Sequence, residues 1–572
     1  FVVTGDTSVT AGTGTITLDN VLNSFGSTLA LQGVSTSVAT SGNLQLGSVT
    51  NSGPMTLRAP SGSIDLGTAF ITGGDLTLQS RDDMNLGGAN ITGSLNMSST
   101  AGTVSFGQAT VTGNLTAATL GQQVDLGSAN VGGNLLVQTQ GGNIVQSTAP
   151  NSALQVAGTS TLNAGTGNVT LPNVPNQFGG AVSLQANNVE LVGSHGLTLG
   201  NSTVTGTLAV TAATGNITQS APLSVTGAST FTATQGDVIL ERANTFVQPV
   251  AVDAVNATLS SASALTLGTS TVTGDLIANV AQGDLTQTGP LTVGGKANVT
   301  TLAGNVTLTD AANSFAATVS AATTGTLKLT SGGPLTLGLV TTVGDTDLKS
   351  AGKLDLGTST FGAKINANSG GFDIIQSGPI KVGGNSNFDA GNAKIDLFNA
   401  KNAWSGSILY KGGTVMINHP QLMNAVSAGT LVVRVETAMQ EGQTQRAVPA
   451  QAASTQVQTP ASSGGADVSV SVTRVATATQ GGMVTVSVSA EAASTSKGFA
   501  FALTDHMPAD VPKSSQIAVS QLDGRPLPDW LRYEPETQKV VATSPPPGAF
   551  PMQIKANMGG VETVILITEQ PK

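Results

Sequence analysis

The sequence predicts an all-β fold, a right-handed parallel β-helix of about 20-residue rungs followed by a small antiparallel β-sandwich. Three observations carry that expectation. Segments of the form apolar-polar-apolar-Gly recur every 20 residues. Period-2 alternation fills most of the chain in stretches of four or five residues. The composition suits stacked strands joined by tight corners: 71 of 572 residues are glycine, charged residues are 9% and aromatics 3%.

The repeat is clearest at Ile64-Asp65-Leu66-Gly67, Met84-Asn85-Leu86-Gly87, Val104-Ser105-Phe106-Gly107 and Val124-Asp125-Leu126-Gly127. Ala69, Ala89, Ala109 and Ala129 follow in step, then Ile71, Ile91, Val111 and Val131. A third stretch closes each unit at Leu76/Leu78, Leu95/Met97, Leu115/Ala117 and Leu135/Val137. Alternation of this length marks a half-buried strand. Three strands per unit, with equivalent residues at equal spacing, build a coil whose turns stack at roughly 4.8 Å. Parallel connections are right-handed in nearly all proteins, which sets the expected hand. A left-handed hexapeptide helix needs periods that are multiples of six, and 20 is not one. A single rung buries too little apolar surface to offset the entropy of ordering its backbone, so stacking is obligatory.

Downstream the period lengthens. The stretch from Leu197 to Gly206 recurs from Leu265 to Gly274, a shift of 68. Gln219 and Pro222 recur as Gln287 and Pro290 by the same 68, and again as Gln376 and Pro379 after 89. The difference of 21 is about one rung. The pattern reads as a supermodule of three rungs plus a short excursion, with one rung added in the third copy. The excursion is assigned to an Asn-x-Phe element at Asn23/Phe25, Asn176/Phe178, Asn244/Phe246 and Asn313/Phe315, with Trp404 in the place of Phe315 one copy later. Phe178, Phe246, Phe315 and Trp404 are thus candidate corner or surface aromatics. Either they plug a wide corner or cover an edge, or they form a row of sugar-stacking platforms.

Charge divides the chain. Residues 1–400 hold 10 basic and 20 acidic groups, and the remainder 12 of each, so the net −10 sits on the repeats. The expected domains are a parallel β-helix at 1–418, a cap and linker at 419–465, and a sandwich at 466–572. Within the second, Pro420 to Val426 reads as one or two helical turns, "GTLVVRVET" as a strand, and 437–465 as linker. From Ala466 onward about seven alternating stretches, among them "DVSVSVTRV", "MVTVSVSAE" and "ETVILITE", indicate the sandwich.

Two resemblances attach to these residues. The 20-residue units, with their "VTGNLT" and "LGSANV" phrases, resemble the repeats of filamentous haemagglutinin-type exoproteins of Gram-negative bacteria, over roughly residues 1–418. That resemblance implies a β-helical adhesin exported by two-partner secretion through an outer-membrane transporter, on the cell surface or in a biofilm matrix. The stretch Asp523-Gly524-Arg525-Pro526-Leu527-Pro528-Asp529-Trp530-Leu531-Arg532-Tyr533, followed by Thr537 and Val540-Val541, is similar to a signature of bacterial cadherin-like and immunoglobulin-like surface domains. It implies that Asp523, Gly524, Pro526, Leu527, Pro528, Trp530, Leu531 and Tyr533 are structural, with Trp530 and Tyr533 in the core of an Ig-like sandwich. Phe1-Val2-Val3 starts in mid-strand without a signal peptide or starting methionine, so a processed or partial product is expected.

Several function classes are disfavoured. No run of 18 apolar residues is present to form a transmembrane helix. The absence of cysteine excludes disulfides and thiolate metal sites. Only 22 Lys+Arg against 32 Asp+Glu opposes nucleic-acid binding. Polysaccharide-active β-helices need clustered acid groups. Asp82-Asp83 and Ser194-His195-Gly196 echo such phrases but lie 112 residues apart. That is roughly 25 Å along a stack, whereas paired glycosidic carboxylates stand about 5–10 Å apart. Asp65 and Asp125 share a rung position, with Asn85 and Ser105 between, and read as a polar ladder. His195, His419 and His506 are mutually distant in sequence. Frequent Asn-x-Ser/Thr sequons such as Asn90-Ile91-Thr92 read as inter-rung ladders rather than glycosylation sites.

The resulting expectation is a non-catalytic extracellular rod without cofactor or metal, an adhesin or scaffold meeting polysaccharide or a host or neighbouring-cell surface. A second reading, a subunit of a self-assembling head-to-tail filament, rests on the uncapped strand at Phe1. A third, a polysaccharide-active enzyme, has only Asp82, Asp83 and His195 to support it.

Overall fold

A computed structural model describes residues 1–67, 70–147, 152–418, 430–431, 468–473, 483–488, 499–502, 517–521, 525–546, 549, 552–558 and 561–569. Among these residues the regular structure is entirely β. The chain forms two compact units, Phe1–Met439 and Gln440–Lys572.

The first unit is a parallel β-solenoid of about twenty turns. A turn holds two short strands and one long one. In one turn these are Ile64–Asp65, Phe70–Thr72 and Leu76–Ser80. The next turn lays Met84–Asn85, Asn90–Ile91 and Leu95–Ser99 over them in parallel, with Ile64 opposite Met84, Ile71 opposite Asn90 and Leu76 opposite Leu95. Three columns of strands result. Alternation then decides what is buried: Leu76, Leu78 and Ser80 point inward, Thr77 and Gln79 outward. Inward residues stack like on like, so a single apolar core runs from Ile16 to Ile417. Each fully buried aliphatic side chain contributes about 1.5–3 kcal/mol.

The 20-residue glycine has a backbone cause. Gly67, Gly87, Gly107 and Gly127 hold φ of +65°, +55°, +55° and +51° at the bend between the two short strands. A Cβ on Gly87 would stand 2.3 Å from the Gly67 carbonyl oxygen of the turn below. The residue two before each glycine helps form the bend: Oδ1 of Asp65, Asn85 and Asp125 accepts the N–H of Gly67, Gly87 and Gly127 at 2.9, 3.2 and 3.0 Å. Asp65, Asn85, Ser105 and Asp125 follow one another in register, the polar ladder expected from their spacing.

The corners carry a second ladder. Oδ1 of Asn216 accepts the N–H of Asp237, Asp237 that of Asn256, Asn256 that of Asp275, and Asp275 that of Lys296, at 2.7–3.1 Å. One short side chain per turn thereby satisfies a corner amide of the next turn, which a parallel ladder alone leaves open.

The supermodule departs from the expected three rungs plus excursion. Between Phe178 and Phe246 the chain makes ten strands, counting Val238–Phe246 as the two short strands that it pairs as. Ten strands are three turns and one strand. The additional strand is long: Val182–Ala186 and Val189–Gly193 follow each other directly. Val182–Ala186 stays on the long-strand column over Ser160, whereas Val189–Gly193 lands on the first-short column, Val189 over Val169. The next second-short strand then lands on the old long-strand column, Thr203 opposite Gln185. The first short strand lands there too, Leu199 opposite Val182, so the long strand and the pair of short strands exchange faces, and the next junction repeats the exchange with Leu267 opposite Val250 and Thr271 opposite Asp253. The same doubling follows Phe25, Phe246, Phe315 and Trp404, at Leu29–Gly33/Ser35–Ala39, Val250–Ala254/Ala257–Ser261, Thr318–Thr323/Leu327–Ser331 and Ile408–Lys411/Thr414–Ile417.

Whole turns should therefore be removable, and single strands not. Ser331 pairs with Ser350, so residues 332–350 make one turn. Their deletion is expected to leave the circular-dichroism spectrum and cooperative unfolding intact. Deleting 346–352, a single long strand with its corner, should abolish both, because every later inward residue would then meet the wrong column.

Three buried hydroxyls, those of Ser160, Ser229 and Ser386, have no hydrogen-bond partner among the described residues. They occupy equivalent positions in successive modules, and the remaining module has Ala297 there. Ser229 is 1% exposed, so its hydroxyl has no access to solvent. Ser229→Ala is expected to raise stability by about 1 kcal/mol, read as a higher urea midpoint with unchanged slope.

The second unit contains a five-stranded sheet ordered Val468–Thr473, Met483–Val488, Val561–Glu569, Met552–Met558, Ile517–Gln521, and a three-stranded sheet ordered Phe499–Ala502, Lys539–Ala542, Leu531–Glu534. Val486, Phe501, Val540 and Ile565 belong to one core shared by both sheets. All pairings are antiparallel except Met483–Val488 with Val561–Glu569. Those two strands are far apart in sequence, so no hairpin constrains their relative direction. Thr430–Leu431 pairs in parallel with Thr414–Ile417. The expected helical turns at 420–426 and linker at 437–465 lie outside the described residues.

Candidate functional site

The sites that recur with the module are its junctions, where the columns exchange roles. Each is built around a buried asparagine. Asn244, fully buried, uses Oδ1 to accept the Gln219 Nε2–H at 2.9 Å and the Leu223 N–H at 2.8 Å. Its Nδ2 donates to Gln219 Oε1 at 2.9 Å, Leu240 O at 3.3 Å and Ser260 O at 3.1 Å. The two carboxamides thus clamp each other in both directions, two turns of chain being tied by one pair. The same reciprocal pair forms at Gln146–Asn176, Gln287–Asn313 and Gln376–Asn402. Asn23, the equivalent residue at the Phe25 junction, donates its Nδ2–H to Leu18 O at 2.9 Å and to Ala39 O at 3.3 Å. In sequence, Gln219 and Asn244 are each visible as repeating residues. Gln219 recurs after 68 and then 89 residues, and Asn244 after 69 and then 89.

The aromatics beside the clamp are core residues. Phe178, Phe246 and Phe315 are 8%, 3% and 7% exposed, so they offer no ring face to solvent and are not surface platforms. Period-2 alternation turns them inward with Val156, Val225 and Val293, over which they stack. Trp404 is half-buried, meets Phe388 edge-to-face at 5.9 Å, and donates its Nε1–H to Asn418 O at 2.8 Å.

At the first full junction the role exchange leaves a groove. Among the described residues Gln177–Phe178 pairs with Gln155–Val156 but with no strand beyond. A cavity of about 340 Å³ opens there, with Asn130, Gln155, Gln177 and Phe178 on one side and Gly193 and His195 on the other. Ser194 Oγ and His195 Nδ1 are 2.9 Å apart.

The structure does not assemble the acid groups considered above. Asp82 lies 3.8 Å from Arg81, and Asp83 Oδ1 accepts the Thr103 N–H and hydroxyl at 2.7 and 2.9 Å. His195 is in the groove described, without them. No group of three or more His, Asp or Glu converges among the described residues. His419 and His506 lie outside them. Asp6 accepts hydrogen bonds from Ser27 and Thr28, which hold its carboxyl below the usual range.

In the second unit Leu531 is buried, and Leu527, Trp530 and Tyr533 pack partly buried against the shared core. Burial pushes the Tyr533 phenol up. Pro526 is exposed and Pro528 half-buried, while Asp523 and Gly524 lie outside the described residues.

The chain matches the family model described as repeats of unknown function (DUF5649) at residues 1–32, 73–130, 114–185, 186–253, 254–322 and 343–410, more than half its length. The matches beginning at 186, 254 and 343 step by 68 and 89, the module lengths, and 323–342, within the turn added in the last module, fall between two matches. No curated protein and no solved structure matches the chain.

Proposed function

The chain belongs to the DUF5649 repeat family, and from that premise we propose that it is a non-catalytic structural rod, an extracellular adhesin or scaffold at a Gram-negative cell surface or in its matrix. One observation carries this reading: the polar side chains at the corners and junctions of the rod are occupied in holding turn to turn. Corner Asn and Asp residues bond the next turn's amides, and junction Gln–Asn pairs tie each module to itself. Such a molecule extends by adding turns, at roughly 4.8 Å each, and presents a long, weakly charged face suited to many shallow contacts. The resemblance to haemagglutinin-type exoproteins supplies the two-partner route and the surface location. The similarity of the Trp530 region to Ig-like surface domains supplies the identity of the second unit.

Immunogold labelling of intact producing cells with antibody against residues 1–418 tests the proposal. Label on the outer surface, released by external protease, is the expected result. Label confined to the cytoplasm overturns it.

A further inference from the structure

We infer that the groove at the first junction is a binding subsite for a neutral oligosaccharide, with Asn130, Gln155 and Gln177 as its polar floor. The inference rests on the rod reading above and gives it a specific contact. Asn130, Gln155 and Gln177 are directly opposite one another on successive strands of one column, hence roughly 4.8 Å apart. All three are exposed, and their carboxamides make no hydrogen bond to any described residue. That sets them apart from the corner asparagines Asn114, Asn134, Asn168 and Asn188, whose carboxamides are engaged with the adjoining turn. The column ends at Gln177, so the row opens into the cavity instead of running under another strand.

The chemistry selects the ligand class. No lining residue carries a fixed charge, which offers nothing to a sulfated or carboxylated ligand. Each carboxamide presents two donors and an acceptor on a fixed fork, the combination that adjacent hydroxyls of a sugar ring satisfy from both sides. The cavity, about 340 Å³, falls in the small-ligand range of roughly 300–1,000 Å³. Strand addition by a peptide is the poorer fit, because the uncovered edge is two residues long and adds few backbone bonds. Phe178 is turned inward, so the site has no stacking platform and binds weakly. The equivalent row is Thr203–Ser224–Thr245 in the second module and Thr271–Thr292–Ser314 in the third, so the carboxamide floor belongs to the first junction alone.

Saturation-transfer NMR and calorimetry with cellohexaose, maltohexaose and mannohexaose, and a heparin hexasaccharide as charged comparison, test the inference on the full chain. Binding of at least one neutral probe at about millimolar affinity is expected. The pair Gln155→Ala/Gln177→Ala should weaken it about tenfold or more, as should Asn130→Ala to a lesser degree. Gln79→Ala/Gln138→Ala, outward on another column, should leave it unchanged. Absence of transfer to every neutral probe, binding of the sulfated probe alone, or equal binding by the groove variant overturns the inference. None of these outcomes alters where the protein is found on the cell, so the rod reading stands or falls separately.

Discussion

Asn244→Ala is expected to destabilise the middle of the solenoid by about 3–5 kcal/mol. The side chain is completely buried and makes five hydrogen bonds. Alanine leaves the Leu223 N–H, both ends of the Gln219 carboxamide and the Ser260 carbonyl without that partner. Each buried group left unsatisfied costs about 1–3 kcal/mol, and some recover a bond by relaxing or by admitting water. The loss is local because neighbouring turns stack independently. Hydrogen exchange is therefore the sharper reading. The amide of Leu223 should lose protection, while those around Leu115 keep theirs. Asn244→Asp separates the two sides of the clamp. It keeps the acceptor for Leu223 N–H but cannot donate to Gln219 Oε1, so it too should destabilise. Wild-type protection at Leu223 in both variants would show that the clamp contributes nothing.

Gly87→Val should be as damaging by a different route. The position needs a left-handed backbone, which costs an L-residue about 1–2 kcal/mol. Its Cβ would also stand 2.3 Å from the Gly67 carbonyl oxygen, with the same arrangement repeated above, where Gly107 sits over Gly87. The turn can escape only by lifting off its neighbour, which breaks the ladder on that side. A drop of at least about 3 kcal/mol in urea denaturation is expected. Gly88→Val is the control, because nothing lies within 4 Å of a Cβ built there. It should cost far less. Equal stability of Gly87→Val and wild type would remove the explanation offered for the 20-residue glycine.

These two positions also mark what could be read from sequence. Gly67, Gly87, Gly107 and Gly127 announce the repeat because no other residue fits a left-handed bend with backbone directly beneath it. The inward Leu and Val positions are equally legible, since alternation assigns a face without reference to distant residues. The exchange of faces at each junction was not legible. A 68-residue period divides as three rungs and about eight residues, and eight residues can be a loop or a long strand with its corner. Val189–Gly193 and Leu208–Ala212 have ordinary strand patterns, and only their register over Val169–Leu171 shows that a column has changed role. The clamp was hidden because it depends on inter-turn register. Gln219 and Asn244 meet because their strands stack on successive turns, Ile217 opposite Val238 and Val225 opposite Phe246, and a polar residue in a strand pattern otherwise reads as outward-facing. Gln155 and Gln177 look in sequence like any exposed glutamine. Their distinction is that the strand that would cover their column is missing. In the second unit, the alternation of Met483–Val488 predicts a strand but not its parallel partner, which follows eighty residues later in the chain.

The exchange of faces is the central structural claim, and distance measurement by spin labels tests it directly. The chain contains no cysteine, so labels at Thr203→Cys and Thr271→Cys are the only ones attached. Both sites are exposed, occupy the same position in successive modules and sit 68 residues apart. If the long-strand and short-pair faces exchange at each junction, the two labels stand on different columns more than three turns apart. Their separation is then roughly 25 Å or more, allowing for label reach. If a module were three whole rungs with an excursion, the labels would lie on one column at roughly 15 Å. The account predicts the longer distance, and a single population at the shorter one would contradict it.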